Sequence, residues 1–436
     1  MNVHAKLALT PAEEAMVTAF GDRVSRLPGD EVTTKARDAA MERLKRSGLP
    51  TRRREEWHYT DLRRMLSRFL DVAPRPDTGE AKDAASAYKR LLSAARLPSF
   101  NGHFFADLAD DMPDGVTARS YAAVCEAGED VSAWTVEEDE DDVIAAINTG
   151  FFGDGIEITV ADGAKPERAI GLAHSSLGDD RFSAVRNVVN VGAGATAMFI
   201  ERHIAPDASG HQTCAVSAID VGEGADVTWV LIQEGGKDAD HLGQFRAKLA
   251  KDAKLTLFVM NFGGHLVREE ILVRADGEGA DFQLRGVNML SGSSHTDVTM
   301  VLDHIGYGTT SEEIIRNVVT GKAKGVFQGQ IRVDREAQKT DARMACNTLL
   351  LSDDGEFSAK PELEIFADDV ACGHGATVTE IDADHLFYLM SRGVGEKEAR
   401  RLLVKAFLAE IVEDLEDEEL VEALEIRLDD WFAENG

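Results

Sequence analysis

The sequence predicts a mainly β protein with helical ends: a right-handed parallel β-helix (solenoid) flanked by N-terminal and C-terminal helical domains. Two observations carry this. Between Ile156 and Ile381, short β-rich runs (IEITV, VVNV, TAMFI, VTWVLI, LTLFV, EILVRA) alternate with turns bearing Gly or Asp, and hardly any segment sustains a helical period. Laid against itself, the same region repeats: GAGATAMFI, GEGADVTWVLI, KDAKLTLFV and GEGADFQLRGV each read turn, small residue, strand. The anchoring alanines are Ala195, Ala225, Ala253 and Ala280, in steps of 30, 28 and 27 residues, and GTTSEEIIRNVV places Thr310 another 30 on. A steady step of that size with short strands is what stacked coils require. The varied sequence of the steps suits a right-handed solenoid better than a left-handed one built on hexapeptides. A large antiparallel β-sandwich is the rival architecture.

Around that core the pattern is helical. From about Thr10 to Ala95, Ala15, Met16, Ala19 and Phe20, then Ala36, Ala40 and Leu44, recur at helix spacing, and Gly48 and Pro50 read as a stop before RRREEWHYTDLRRMLSRFL. The acidic run Glu126–Asp142 reads as a solvated connection. After Asp382, HLFYLMSR has a capping Asp382 or Asp384 and a terminating Gly393. Two amphipathic helices follow, one with Leu402, Leu403, Phe407 and Ile411, the other with Leu420, Leu424, Leu428, Trp431 and Phe432. They offer a cap for the open edge strand and a docking face. The expected domains are 1–150 (helical, with the acidic connection), 151–381 (β-helix) and 382–436 (helical).

Composition narrows the function. The 436 residues carry 47 Lys+Arg against 78 Asp+Glu, a formal charge of −31. A surface that acidic repels phosphate backbones and anionic headgroups, which argues against nucleic-acid and membrane partners. No stretch approaches the roughly 20 apolar residues of a membrane span. The first residues lack the basic and apolar blocks of a signal peptide, so a cytoplasmic protein with reduced thiols is expected.

Motifs of chemistry are sparse. No G-x-x-x-x-G-K-[ST], G-x-S-x-G, H-E-x-x-H or strand-borne G-x-G-x-x-G occurs, so no ATP site of its own and no hydrolase or dehydrogenase signature is expected. The four cysteines, Cys125, Cys214, Cys346 and Cys372, make no CxxC pair. DDVACGHGATV is the most suggestive segment. Cys372 and His374, two apart in an extended run, share one face, and a thiolate with an imidazole suits iron or zinc. Two ligands cannot close a tetrahedral site, so the rest must come from elsewhere in the chain or from a second protein. The plain reading is a half-buried cysteine and a turn histidine. Cys346, 26 residues earlier, lies close to one solenoid step from Cys372, yet ARMACNTLLL reads as a buried strand with a core thiol. His295 and His304 read as surface or ladder residues, and Trp57 and Tyr59 as anchors of a helix against its neighbour.

Residues 314–394 resemble the C-terminal core of the SufB/SufD family of iron–sulfur cluster assembly: KTDAR, LLLSD, KPELEIFADDV, C-x-H-G-A-T-V and FYLMSRG appear in order. RRREEWHYTDL resembles the helical N-terminal region of the SufD branch, and ADDVACGHGATV also favours that branch over SufB, whose members are usually longer and carry cysteine motifs missing here. The resemblance implies a non-catalytic scaffold that pairs with SufB through the β-helices and docks the SufC ATPase on its C-terminal helices. It also implies that Cys372 and His374 contribute to a transient iron–sulfur cluster or iron site shared with SufB. Homodimerisation stays open. The alternatives are a β-helix enzyme acting on acidic polysaccharide and a purely structural interaction solenoid.

Overall fold

The computed structural model describes residues 8–131, 134, 142–206, 210–415 and 417–435. Two ten-stranded sheets face each other, and successive strands of the chain alternate between them. The first runs outward from Val116–Ser120 and Ile156–Val160 to Lys324–Val333 and Glu356–Ile365. The second runs from Ala95–Phe100 and Ile170–Ser175 to Asp341–Leu350 and Ala371–Thr379. Pairing is parallel from Ile156 onward, which makes eight two-strand turns of a β-solenoid with helices at both ends.

The repeat seen in the sequence is the turn chemistry of each coil. Ala195, Ala225, Ala253 and Ala280 are fully buried, and each follows a residue at positive φ: Gly194 (64°), Gly224 (64°), Asp252 (53°) and Gly279 (68°). Glycine enters that region without cost and aspartate tolerates it, so the chain reverses at the same place in every turn. The next member is Thr309, not Thr310. Asp281 pairs with Thr310, so Thr309 stacks under Ala280, is fully buried, and follows Gly308 at 66°. That step is one residue shorter than the sequence pattern suggested, because the small anchoring residue is here a threonine and the eye lands on its neighbour.

Along each strand side chains alternate between the axis and the outside. Phe199, Trp229, Leu257 and Phe282 fill the axis, Phe199 and Trp229 stacking with ring centroids 4.8 Å apart. On the outside of the second sheet, Ile200, Val230, Phe258, Val287 and Val318 form an apolar flank on five successive turns. The helices Glu396–Val412 and Glu418–Asn435 lie on that flank. They therefore do not cap the edge strand, because burying five outward residues outweighs covering one strand edge. The buried stripe of the first of them is Ala399, Val404, Leu408, Ile411 and Val412. Ile411 was expected there, whereas Leu402 is 40% exposed and Phe407 only half-buried under Arg316. Leu420, Leu424, Leu428, Trp431 and Phe432 are all buried.

At the N-terminal end the helix Val143–Phe151 is buried throughout, against the helix Glu31–Ser47 and the first sheet. RRREEWHYTDL is a clasp rather than a helix packed on a neighbouring helix. Arg268 lies 4.3 Å over the Trp57 ring, Arg268 and Gln328 both donate to Glu56 O at 3.0 Å, and Thr60 Oγ1 meets His295 Nε2 at 2.8 Å. Hence His295 is a buried partner, and so is His304, bonded to Thr309 and Ser311. Of the acidic run 126–142, most lies outside the described residues, but Trp134 is buried against Tyr121 and receives Arg186 at its carbonyl, so it is packed rather than solvated. Among the described residues no helix is long and apolar enough to cross a membrane.

Candidate functional site

The last turn is open. Among the described residues, no strand stacks beyond Glu356–Ile365 or Ala371–Thr379. Cys372 pairs with Ala342 and His374 with Met344, and both partners are interior residues. Cys372 and His374 therefore face the solenoid axis at its mouth, on one side of the strand as their spacing predicts. Cys372 is half-buried against the end of the axial core, and His374 is exposed. Among the described residues nothing stands within 4 Å of where a side chain would begin at Gly373 or Gly375. Burial pushes the Cys372 thiol up, partly offset by a hydrogen bond with the Ala342 backbone, so it is a thiol until something displaces its proton.

Cys346 does not join them. It stacks between Ile315 and Ala376, four residues along the strand from Ala342, and the coil register keeps the two sulfurs in different columns. It is buried and pushed up to about 12 by that burial, an inert core thiol. Behind His374 the sequence concealed an acid. Glu313 pairs with Met344, is fully buried, and among the described residues neither carboxyl oxygen has a hydrogen-bond partner. Burial raises its carboxyl to about 8, against the pull of the Ser311 hydroxyl, so it is mostly protonated at neutral pH.

A second polar group fills the axis at the other end. His174 stacks on His203 of the next turn, ring centroids 4.8 Å apart, and His241 stands 5.0 Å from His203 with its ring tilted 59° to it. Between them Glu201 Oε1 accepts from His203 Nε2 (2.9 Å), Ser217 Oγ (2.7 Å) and Asn187 Nδ2 (3.0 Å), and Oε2 accepts from Trp229 Nε1 (3.2 Å). Burial would raise the Glu201 carboxyl; these donors and the neighbouring imidazoles outweigh it and hold it below the ordinary range. Burial, with His203 adding to it, drives His174 down to about 3, so that imidazole is neutral. Glu269, 3.5 Å from His241 Nε2, is held protonated by burial and by the nearby acids. The signal available in the sequence was the spacing of His174 and His203, one solenoid step apart, with Glu201 on the same strand face as His203.

Two family descriptions match consecutive parts of the chain: the SufBD protein N-terminal region over residues 29–172, and the SUF system FeS cluster assembly SufBD core domain over 174–407. The chain is similar to the iron–sulfur cluster assembly protein SufD of Escherichia coli K12, 29% identical over 402 residues that cover 89% of this chain and 90% of that protein. It is similar to the chloroplastic protein ABCI7 of Arabidopsis thaliana, 26% identical over 93% of this chain and 87% of the relative. The SufB of Bacillus subtilis matches more narrowly, 24% identical over 65% of this chain and 61% of its own length. With the core domain alone spanning more than half of the residues, on a solenoid with helices at both ends, the chain belongs to the SufBD family of the SUF iron–sulfur cluster assembly system.

Proposed function

We propose that the chain is a non-catalytic scaffold subunit that pairs with a SufB-type chain through the open end of its solenoid and docks a SufC-type ATPase on its C-terminal helical region. The observation that carries this is the contrast between the two edge strands. Ala371 donates inward to Thr340, so by the alternation of a parallel ladder the backbone groups of Cys372, His374, Ala376 and Val378 face the free edge. That strand, ACGHGATVT, carries no proline and no Lys, Arg, Asp or Glu to block pairing, whereas Glu356–Ile365 carries Pro361, Lys360, Glu362 and Glu364. The exposed Val378 (43%), Ile365 (40%) and Phe366 (61%) add apolar surface at the same end.

A partner strand added there would stand beside Cys372 and His374 and supply the ligands the pair lacks, so that a nascent cluster, or iron on its way to one, is held between two chains. For the ATPase the favoured surface is the helix Ala383–Ser391, which buries no residue and exposes Phe387 (71%), Tyr388 (56%) and Met390 (42%). Co-expression with the two partner types tests the reading. Ala376→Pro, which removes an N–H only from the free edge, should abolish SufB-type pairing and leave the chain folded. Phe387→Ser with Tyr388→Ser should abolish ATPase capture alone. Pairing that survives Ala376→Pro, or a homodimer of this chain in place of a mixed pair, would overturn the assignment of the edge.

A further inference from the structure

The polar group around His174 is not explained by the mouth of the solenoid, which lies at its opposite end. Glu201 is a fully buried carboxylate, and among the described residues the ionisable side chains beside it are His174 and His203 rather than a lysine or arginine. A buried charge of that kind is ordinarily paired or bound to a metal. His174 Nε2 stands 3.7 Å and His203 Nε2 2.9 Å from Glu201 Oε1, and one ligand atom from each of the three lies within 4.8 Å of the others. Donors around a tetrahedral ion with bonds of about 2.1 Å stand about 3.4 Å apart.

We propose that this chamber binds one divalent first-row metal ion of borderline softness, held by His174 Nε2, His203 Nε2 and Glu201 Oε1. Two imidazole nitrogens and a carboxylate oxygen are donors that suit such an ion. Four atoms left without partners fit the same arrangement. Asn187 Nδ2 sits 3.1 Å from His174 Nε2 and 3.0 Å from Glu201 Oε1, while its Oδ1 has no partner; half a turn of the amide exchanges the two and presents an oxygen as fourth ligand. The Nδ1 atoms of His174 and His203 are also unpartnered. Metal binding at Nε2 leaves the imidazole proton on Nδ1, and these rings line a cavity of about 20 Å³, room for one water molecule, together with Gln233, whose Oε1 lacks a donor. Gln233 is the register neighbour of His203 and lines the same cavity, where its carbonyl or a water molecule in that cavity would take the proton as outer groups do for metal-bound histidines. Gly243 completes the chamber: a side chain there would overlap the Glu269 carboxyl.

The test uses full-length metal-free protein and Co²⁺ as the probe, in a Cys372→Ser/His374→Ala background so that binding at the mouth cannot contribute. One equivalent of Co²⁺ by equilibrium dialysis, with visible d–d bands of a four-coordinate N/O site, is expected. Glu201→Gln and His203→Gln should each weaken it by about 100-fold or more while far-ultraviolet circular dichroism stays unchanged. Absence of stoichiometric binding, or binding untouched by the two substitutions together, overturns the proposal. Should either variant fail to fold, anomalous scattering from a Co²⁺-soaked crystal of the same background protein decides: a peak between His174 and His203 supports the site, and none at that position overturns it.

Discussion

Glu313 and His374 stand in one column of the second sheet, two turns apart, with Met344 between them. The acid is sealed from water and the imidazole is exposed at the mouth, so the same face of the solenoid passes from interior to surface in two steps of the chain.

Glu313 should make stability fall as pH rises. Its folded-state value, about 8, lies above the ordinary 4.5. Between those two values the unfolded chain has lost the proton and the folded chain keeps it, so stability is full below the lower one and declines by about 1.4 kcal/mol per pH unit towards the upper. Glu313→Gln removes the titration. Between pH 5.5 and 8.0, urea unfolding should show a stability loss larger by a few kcal/mol in the native chain than in the variant, which keeps the slope set by Glu269 and the other buried groups. Equal slopes in both would mean that Glu313 reaches water.

His374→Ala should leave folding and complex formation intact, because the side chain is exposed, yet lower the iron–sulfur cluster recovered with the complex. Cys372→Ser should act the same way more weakly, a partner thiolate standing in for the lost sulfur. Iron and acid-labile sulfide measured on complexes purified without oxygen check this. Native cluster content in His374→Ala would leave the histidine without a ligand role.

The positive-φ turns set a ranking. Gly224→Ala meets no atom within 4 Å, so its cost is backbone strain alone, about 1–2 kcal/mol. Asp252→Gly relieves the same strain at the equivalent corner and should leave stability unchanged or raise it. Urea midpoints in the reverse order would contradict the shared geometry of the corners.

In the helix Glu396–Val412, Leu408→Ala should cost about 2–5 kcal/mol as a buried truncation, and Leu402→Ala, 40% exposed, about 0.5 kcal/mol or less. Similar losses for both would return the buried stripe to the phase that the sequence suggested.

The sequence made the solenoid legible because its turns are local: a residue at positive φ followed by a small buried one reads the same in one dimension as in three. The C-terminal stripe was misphased for the opposite reason. Leu402 and Leu408 are equally apolar, and only the flank of Ile200, Val230 and Phe258 decides which of them faces inward. The Cys372 and His374 pair could be read from a two-residue spacing, and its common face holds. Glu313 and the His174–Glu201–His203 chamber could not, since each is assembled across turns, and a one-residue change in register would disperse it.

The lateral position of the last two helices bears on how the protein is made. Helices that emerge from the ribosome after the whole solenoid shield apolar side chains on turns made long before them, from Ile200 to Val318. A nascent solenoid can therefore stack its coils during translation but carries a bare oily flank until those helices have emerged. Its lateral closure waits for them, and the interval before it is when an unfinished chain is most open to aggregation and to capture by chaperones.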